Sequence, residues 1–304
     1  MTIAELLEAV RRVELHTNRL VNDTMVGAYL SHFKGRGMDF EELREYMPGD
    51  EVRDIDWNVT YRLGRPFVKR YREERELAMI IALDVSASSL FGSSQHTKRE
   101  FATEVAATLA FSAARSSDKV ALLLFSDKVE LFLPPRKGRR HLLRLLREML
   151  AFTPRRTGTD IPGALGFLNR VLPRRSFVFL LTDFLHNLGA AETAPGSRGT
   201  LEELGLTNAR HDLVCVHLHD PRESVLPEAG LLTVEDAETG ELLELDSSRA
   251  AVRDRFAAVN NERLENLDRA FRRAGIETLR FRTDAPYAQV LQRFFETRRG
   301  RRRA

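Results

Sequence analysis

The spacing of apolar positions divides this chain near Leu77. Ahead of that point, Leu6, Leu7, Val10 and Val13 recur at a spacing of about 3.6 and predict an amphipathic helix from Ile3 to about Val21. The next stretch, from about Gly27 to Glu76, loses that rhythm. Its Gly35-Arg36-Gly37 and Pro48-Gly49-Asp50 predict irregular backbone with short strands, one of them Val68 to Tyr71. Leu77 to Leu83 is then an almost continuous apolar run ending in Asp84. A strand buried on both faces gives that pattern, and ligands of an α/β sheet gather at such a strand's carboxyl end.

Segments alternate from there. Helices are expected from Lys98 to Ala114, His141 to Leu150, Asp160 to Val171, Ser248 to Ala274 and Tyr287 to Phe295. Strands are expected at Val120 to Phe125, Val129 to Phe132, Phe177 to Leu181, Leu213 to Leu218 and Glu277 to Phe281. Leu231 to Val234 and Leu242 to Leu245 read as an edge hairpin turning at Thr239-Gly240, and Ala190 to Thr200 as a surface loop. Strands separated by crossover-length helices specify a doubly wound, largely parallel α/β sheet. The expected organisation is an N-terminal helical and irregular/β module at residues 1–76, the α/β domain at 77–296, and a basic tail at 297–304.

Composition narrows the setting. A 304-residue chain with 43% hydrophobic residues closes a large core without disulfides, and the single Cys215 lies in an apolar strand. The N-terminus lacks a signal-peptide pattern, and no apolar run approaches the roughly 18 residues of a spanning helix, so a cytoplasmic location is expected. Arg298, Arg299, Arg301, Arg302 and Arg303 exceed the net charge of +3 by themselves, so the body is near neutral. The tail reads as a solvated end. No aromatic platform accompanies it that would argue for nucleic acid.

The chemistry concentrates after the first greasy strand. Asp84, Ser86 and Ser88 can aim three oxygens at one point, and hard divalent cations such as magnesium take roughly six oxygens at about 2.1 Å. The same sheet edge should receive Thr159 and Asp183. Asp84 would anchor the ion, Ser86 and Ser88 would add neutral oxygens, and Thr159 would be a ligand or lie just behind one. Asp183 would accept hydrogen bonds from coordinated water. A partner's Asp or Glu is the natural sixth ligand. The same residues also read as ordinary turn and cap formers, with Asp160 capping a helix.

The run Ile81-Ala82-Leu83-Asp84-Val85-Ser86-Ala87-Ser88, with Gly158-Thr159-Asp160 and Leu180-Leu181-Thr182-Asp183, resembles the metal-ion-dependent adhesion site (MIDAS) of von Willebrand factor A domains. Upstream, the segment from Phe40 through Pro48-Gly49-Asp50 to Trp57 is similar to the signature of the DUF58 family. The resemblance implies that Asp84, Ser86, Ser88, Thr159 and Asp183 hold magnesium or another divalent ion. It also implies a protein partner, a MoxR-type AAA+ ATPase, in assembly, maturation or a stress response. Phe184 stands where such domains often carry glycine and raises the question of access to the ion.

Around the Pro-Gly turn, Arg44 or Arg53 could bridge carboxylates and Trp57 could cover the edge of the core. Alternatively Arg44, Tyr46, Arg53 and Trp57 form a docking surface. No dinucleotide or phosphate-loop motif is present, and His211, His217 and His219 read as structural rather than as a zinc set. The competing enzymatic reading is a metal-dependent phosphoester hydrolase at Asp84 and Asp183. It lacks an evident general base or second-metal ligands, so binding rather than catalysis is expected.

Overall fold

The computed structural model describes residues 38–73, 78–93, 96–154, 157–185 and 199–300, together with residues 8, 11–14 and 17. Most of the N-terminal helix, Gly35-Arg36-Gly37, the core of the Ala190 to Thr200 segment and Arg301 to Arg303 lie outside the described residues.

Six strands form the central sheet: β3 (Ala78–Asp84), β4 (Lys119–Phe125), β5 (Val129–Arg136), β6 (Phe177–Thr182), β7 (Asp212–His219) and β10 (Glu277–Arg282). Their order is β10-β7-β6-β3-β4-β5, parallel throughout except for the antiparallel edge pair β4–β5. The chain starts in the middle of this sheet at β3, adds β4 and β5 on one side, and then crosses to β6 on the other. That reversal is the topological switch point of a doubly wound sheet, beside which ligands bind.

Period-two alternation along β3 sends Met79, Ile81 and Leu83 to one face and Ile80 and Ala82 to the other. The first face packs on α2 (Lys98–Arg115), α3 (Arg139–Ala151) and α7 (Ala288–Gly300), through residues such as Phe101, Val105, Leu145 and Phe295. The second packs on α4 (Ile161–Val171), α5 (Thr200–Arg210) and α6 (Ala250–Arg273), through Leu165, Leu204 and Phe271. Two smaller antiparallel pairs stand apart from the sheet: β1 (Met38–Glu45) with β2 (Phe67–Glu73), and β8 (Leu231–Glu235) with β9 (Leu242–Asp246). A short helix, α1 (Trp57–Leu63), connects β1 to β2.

Several expectations are corrected. The β8–β9 hairpin is not an edge of the main sheet, because among the described residues its strands pair only with each other. The helix α5 occupies the crossover from β6 to β7, beginning where a loop was expected to end. The basic tail does not begin at residue 297: α7 continues to Gly300, and Arg298 is held by Glu277 (2.6 Å) and Asp212 (2.9 Å) with its guanidinium over Phe177 and Phe294. Trp57 does not cover the core. It sits at the start of α1 and is 66% exposed.

Candidate functional site

Asp84 is the last residue of β3, and the chain turns sharply after it. Val85 N–H still bonds Phe125 of β4 (2.9 Å), and Ala87 to Leu90 then form one turn of 3-10 helix. Ala87 N–H donates to the Thr157 carbonyl (2.9 Å), which ties the loop before α4 against the Asp84 loop. Ser89 Oγ donates to the Ser86 carbonyl (2.6 Å) and tightens the turn.

Both Asp84 carboxylate oxygens are engaged. One accepts the Ser86 N–H (2.9 Å) and the other the Thr182 hydroxyl (2.6 Å) from neighbouring β6. Ser86 Oγ lies 3.1 Å from Ser88 Oγ, and both serines are buried. The Ser88 hydroxyl in turn bonds Asp183. Asp84, Ser86, Ser88 and Asp183 therefore form one connected cluster at the switch point. Thr159 is brought to the adjoining loop, where its hydroxyl donates to Glu238 Oε1 (2.9 Å) at the hairpin tip. Asp160 caps α4 as expected, accepting the Gly163 N–H (2.8 Å).

The two carboxylates differ in their surroundings. Burial pushes the Asp84 pKa up, the nearby Asp183 charge pushes it further, and together they place it at about 7. Among the described residues no basic side chain pairs with Asp84. Burial acts most strongly, to raise Asp183, but Lys98 together with hydrogen bonds from Ser88 and the Leu185 N–H outweighs it and holds that carboxyl below its ordinary range. Lys98 Nζ lies 2.6 Å from Asp183 Oδ2, also bonds Glu223, and is 1% exposed. Asp183 thus accepts from the Lys98 ammonium and from the Ser88 hydroxyl.

Lys98 is the residue that the sequence reading missed. It occupies the first position of α2, directly after the N-cap Thr97 and within the Thr97–Glu100 capping box, where the helix dipole disfavours a cation. That misplacement on an otherwise buried helix is the signal that could have found it. Glu223 comes from the turn after β7, where the Asp220 N–H donates to its second oxygen (3.0 Å).

Phe184 does not sit over the cluster. Its ring is buried in the second core layer against Phe271 (5.1 Å) and His217 (6.0 Å). Its backbone adopts φ of +50°, the left-handed region in which glycine is at ease, which accounts physically for a glycine preference there. Buried His211 accepts the Ser176 N–H, and burial drives His217 down to about 3. In the upstream module Arg44 bridges to Asp50 (2.7 Å), Arg53 is exposed and Tyr46 half-buried.

Among the described residues, no group of three or more His, Cys, Asp or Glu side chains is arranged to hold a metal. The fit to a hard cation rests instead on mixed oxygens. Two cis ligands of an octahedral ion with bonds of about 2.1 Å lie roughly 3.0 Å apart. The Ser86 and Ser88 hydroxyls are 3.1 Å apart and hydrogen-bonded to each other, a spacing compatible with either arrangement.

The sheet order and the convergence of these loops define a von Willebrand factor A-like α/β domain. The profile described as "Protein of unknown function DUF58" matches residues 42–266, and the chain belongs to that family. It is 30% identical over 297 residues to the uncharacterized protein Rv1480 of Mycobacterium tuberculosis, covering 97% of this chain and 90% of that one. It is 32% identical over 169 residues to the uncharacterized protein MAV169 of Mycobacterium avium, covering 55% of this chain and 93% of that one. Among solved structures it is similar to BatB, a conserved hypothetical protein from Bacteroides thetaiotaomicron (TM-score 0.44, 17% identity, 74% of this chain and 98% of that one). It is also similar to an aerotolerance-related membrane protein from Bacteroides fragilis (TM-score 0.47, 15% identity, 74% and 99%). No helix among the described residues is long and apolar enough to cross a membrane.

Proposed function

We propose that the chain is a protein-interaction module whose sheet-edge site holds one divalent cation, magnesium by its ligand chemistry, and offers it to an acidic side chain of a partner. The carrying observation is Asp84: a buried carboxylate with no basic partner among the described residues, beside two hydroxyls 3.1 Å apart. A buried carboxylate of this kind either keeps a proton, as its raised pKa allows, or is met by a cation.

The surroundings suit a protein surface. Leu90 and Phe91 follow the Asp84 loop and Leu185 follows Asp183, and all three are exposed. Apolar groups around a polar centre are the anatomy of a protein interface. A second face is available on α1, where Trp57 and Tyr61, one helical turn apart, are 66% and 91% exposed; Arg53, four residues before Trp57, is exposed as well. This face suits a larger partner such as a MoxR-type AAA+ ATPase. Binding is favoured over phosphoester hydrolysis because Asp183 is bonded to Lys98 and, among the described residues, no second set of metal-ligating side chains adjoins the cluster.

The test is capture of a purified MoxR-type ATPase on immobilised protein, with magnesium or with EDTA, for wild type and Asp84→Ala, alongside a phosphoester turnover assay. Capture that needs both magnesium and Asp84, without turnover, supports the reading. Capture indifferent to both would sink it, and turnover abolished by Asp84→Ala would replace it with the hydrolase.

A further inference from the structure

The β8–β9 hairpin carries a carboxylate to the site from outside. Glu238 Oε1 accepts the Thr159 hydroxyl at 2.9 Å across 79 residues of sequence, and its backbone carbonyl accepts from Thr157 (3.4 Å). From Thr233 to Glu244, Glu238 alone is half-buried while every other residue is exposed. The hairpin therefore touches the body at its tip through this residue.

The tip is built to present it. Asp236 Oδ1 accepts the N–H groups of Glu238 (2.9 Å) and Thr239 (2.8 Å), and Gly240 closes the turn at φ of +75°. At the base, Ser247 Oγ accepts from Ala229 and donates to the Gly230 carbonyl (2.8 Å). Because β8 and β9 pair, among the described residues, only with each other, the hairpin can move at its base without breaking a bond of the six-stranded sheet. Its flanks expose Leu231, Val234, Leu242 and Leu243, apolar surface that a partner can cover.

We propose that Glu238 is the site's own carboxylate ligand, supplied in cis, and that a partner's acidic side chain binds by displacing it. The inference rests on the cation-binding reading above. A carboxylate beside Thr159 adds negative charge that favours a cation, and it stands in the place a partner's Asp or Glu must enter. The partner class this defines presents an exposed carboxylate on a turn or strand able to exchange with the hairpin tip.

The experiment uses the full chain with manganese as a spectroscopic probe of the ion site, read by electron paramagnetic resonance, and acetate as the probe carboxylate. Variants are Glu238→Ala, Glu238→Gln and Asp84→Ala, each checked for a cooperative thermal transition. Loss of a supporting carboxylate is expected to weaken manganese binding about tenfold in both Glu238 variants. Acetate at tens of millimolar should recover binding in Glu238→Ala, where space is open, and leave wild type unchanged. Manganese affinity equal in wild type and Glu238→Ala, with no response to acetate, overturns the proposal and leaves the cation site standing. Absence of saturable binding in wild type, or binding indifferent to Asp84→Ala, overturns both.

Discussion

Replacing Lys98 by methionine keeps the aliphatic stem and removes the ammonium. In the native protein that ammonium lies 2.6 Å from Asp183 and also bonds Glu223, almost wholly out of solvent. Burial alone would lower its pKa, but the two carboxylates outweigh burial and raise it above 10.5. A folded pKa above the unfolded one stabilises in full below the unfolded value, and the contribution is lost only as pH rises through the folded one, so it is complete at neutral pH.

Removing one partner of a buried pair costs roughly 3–5 kcal/mol. Asp183 would retain the Leu185 N–H (3.2 Å) and Glu223 the Asp220 N–H (3.0 Å), so we expect the lower end, about 3 kcal/mol. Urea unfolding at neutral pH in EDTA, wild type against Lys98→Met, measures it. The gap should narrow on acidification, because carboxylates left without a cation take up protons more readily. Magnesium should rescue the variant more than wild type, since Asp183 is then free to face the ion. A difference under about 1 kcal/mol, or a gap that widens in acid, would refute the reasoning.

Other outcomes follow from the same geometry. Asp84 has a folded pKa of about 7 against 3.8, so its stabilising effect is whole below 3.8 and disappears as pH rises through about 7. Wild type in EDTA should therefore lose stability across that window relative to Asp84→Asn, and magnesium should flatten the profile; parallel profiles count against it. Phe184→Ala gives up a ring buried against Phe271, and a loss of about 3 kcal/mol by urea unfolding is expected despite the left-handed backbone. Trp57→Ala should leave stability within about 0.5 kcal/mol while weakening partner capture, because the side chain is 66% exposed. Arg298→Ala should loosen α7, seen as faster proteolytic trimming of the C-terminus, since it removes the bonds to Glu277 and Asp212.

The sheet was legible because its strands are buried on both faces and read as unbroken apolar runs, and Asp84 and Asp183 fell at strand ends for the same reason. The helix α5 was not legible. Its buried face includes Thr200, Glu203 and Thr207, and Asn169 of α4 donates to Glu203 and Thr207, so a polar seam stands where apolar periodicity was sought. Arg298 looked like part of a charge run, yet only tertiary structure places Glu277, Asp212 and two aromatic rings around it. Glu238 carried no local signal at all. Its meaning comes from a hairpin tip meeting a loop 79 residues away.

One measurement bears most directly on the cation site. Calorimetric titration of magnesium into the metal-free protein should give a single saturable event of one ion per chain, absent in Asp84→Ala and weakened in Ser86→Ala. Heats that never saturate, or that survive Asp84→Ala unchanged, would contradict the assignment of Asp84, Ser86 and Ser88 to a cation.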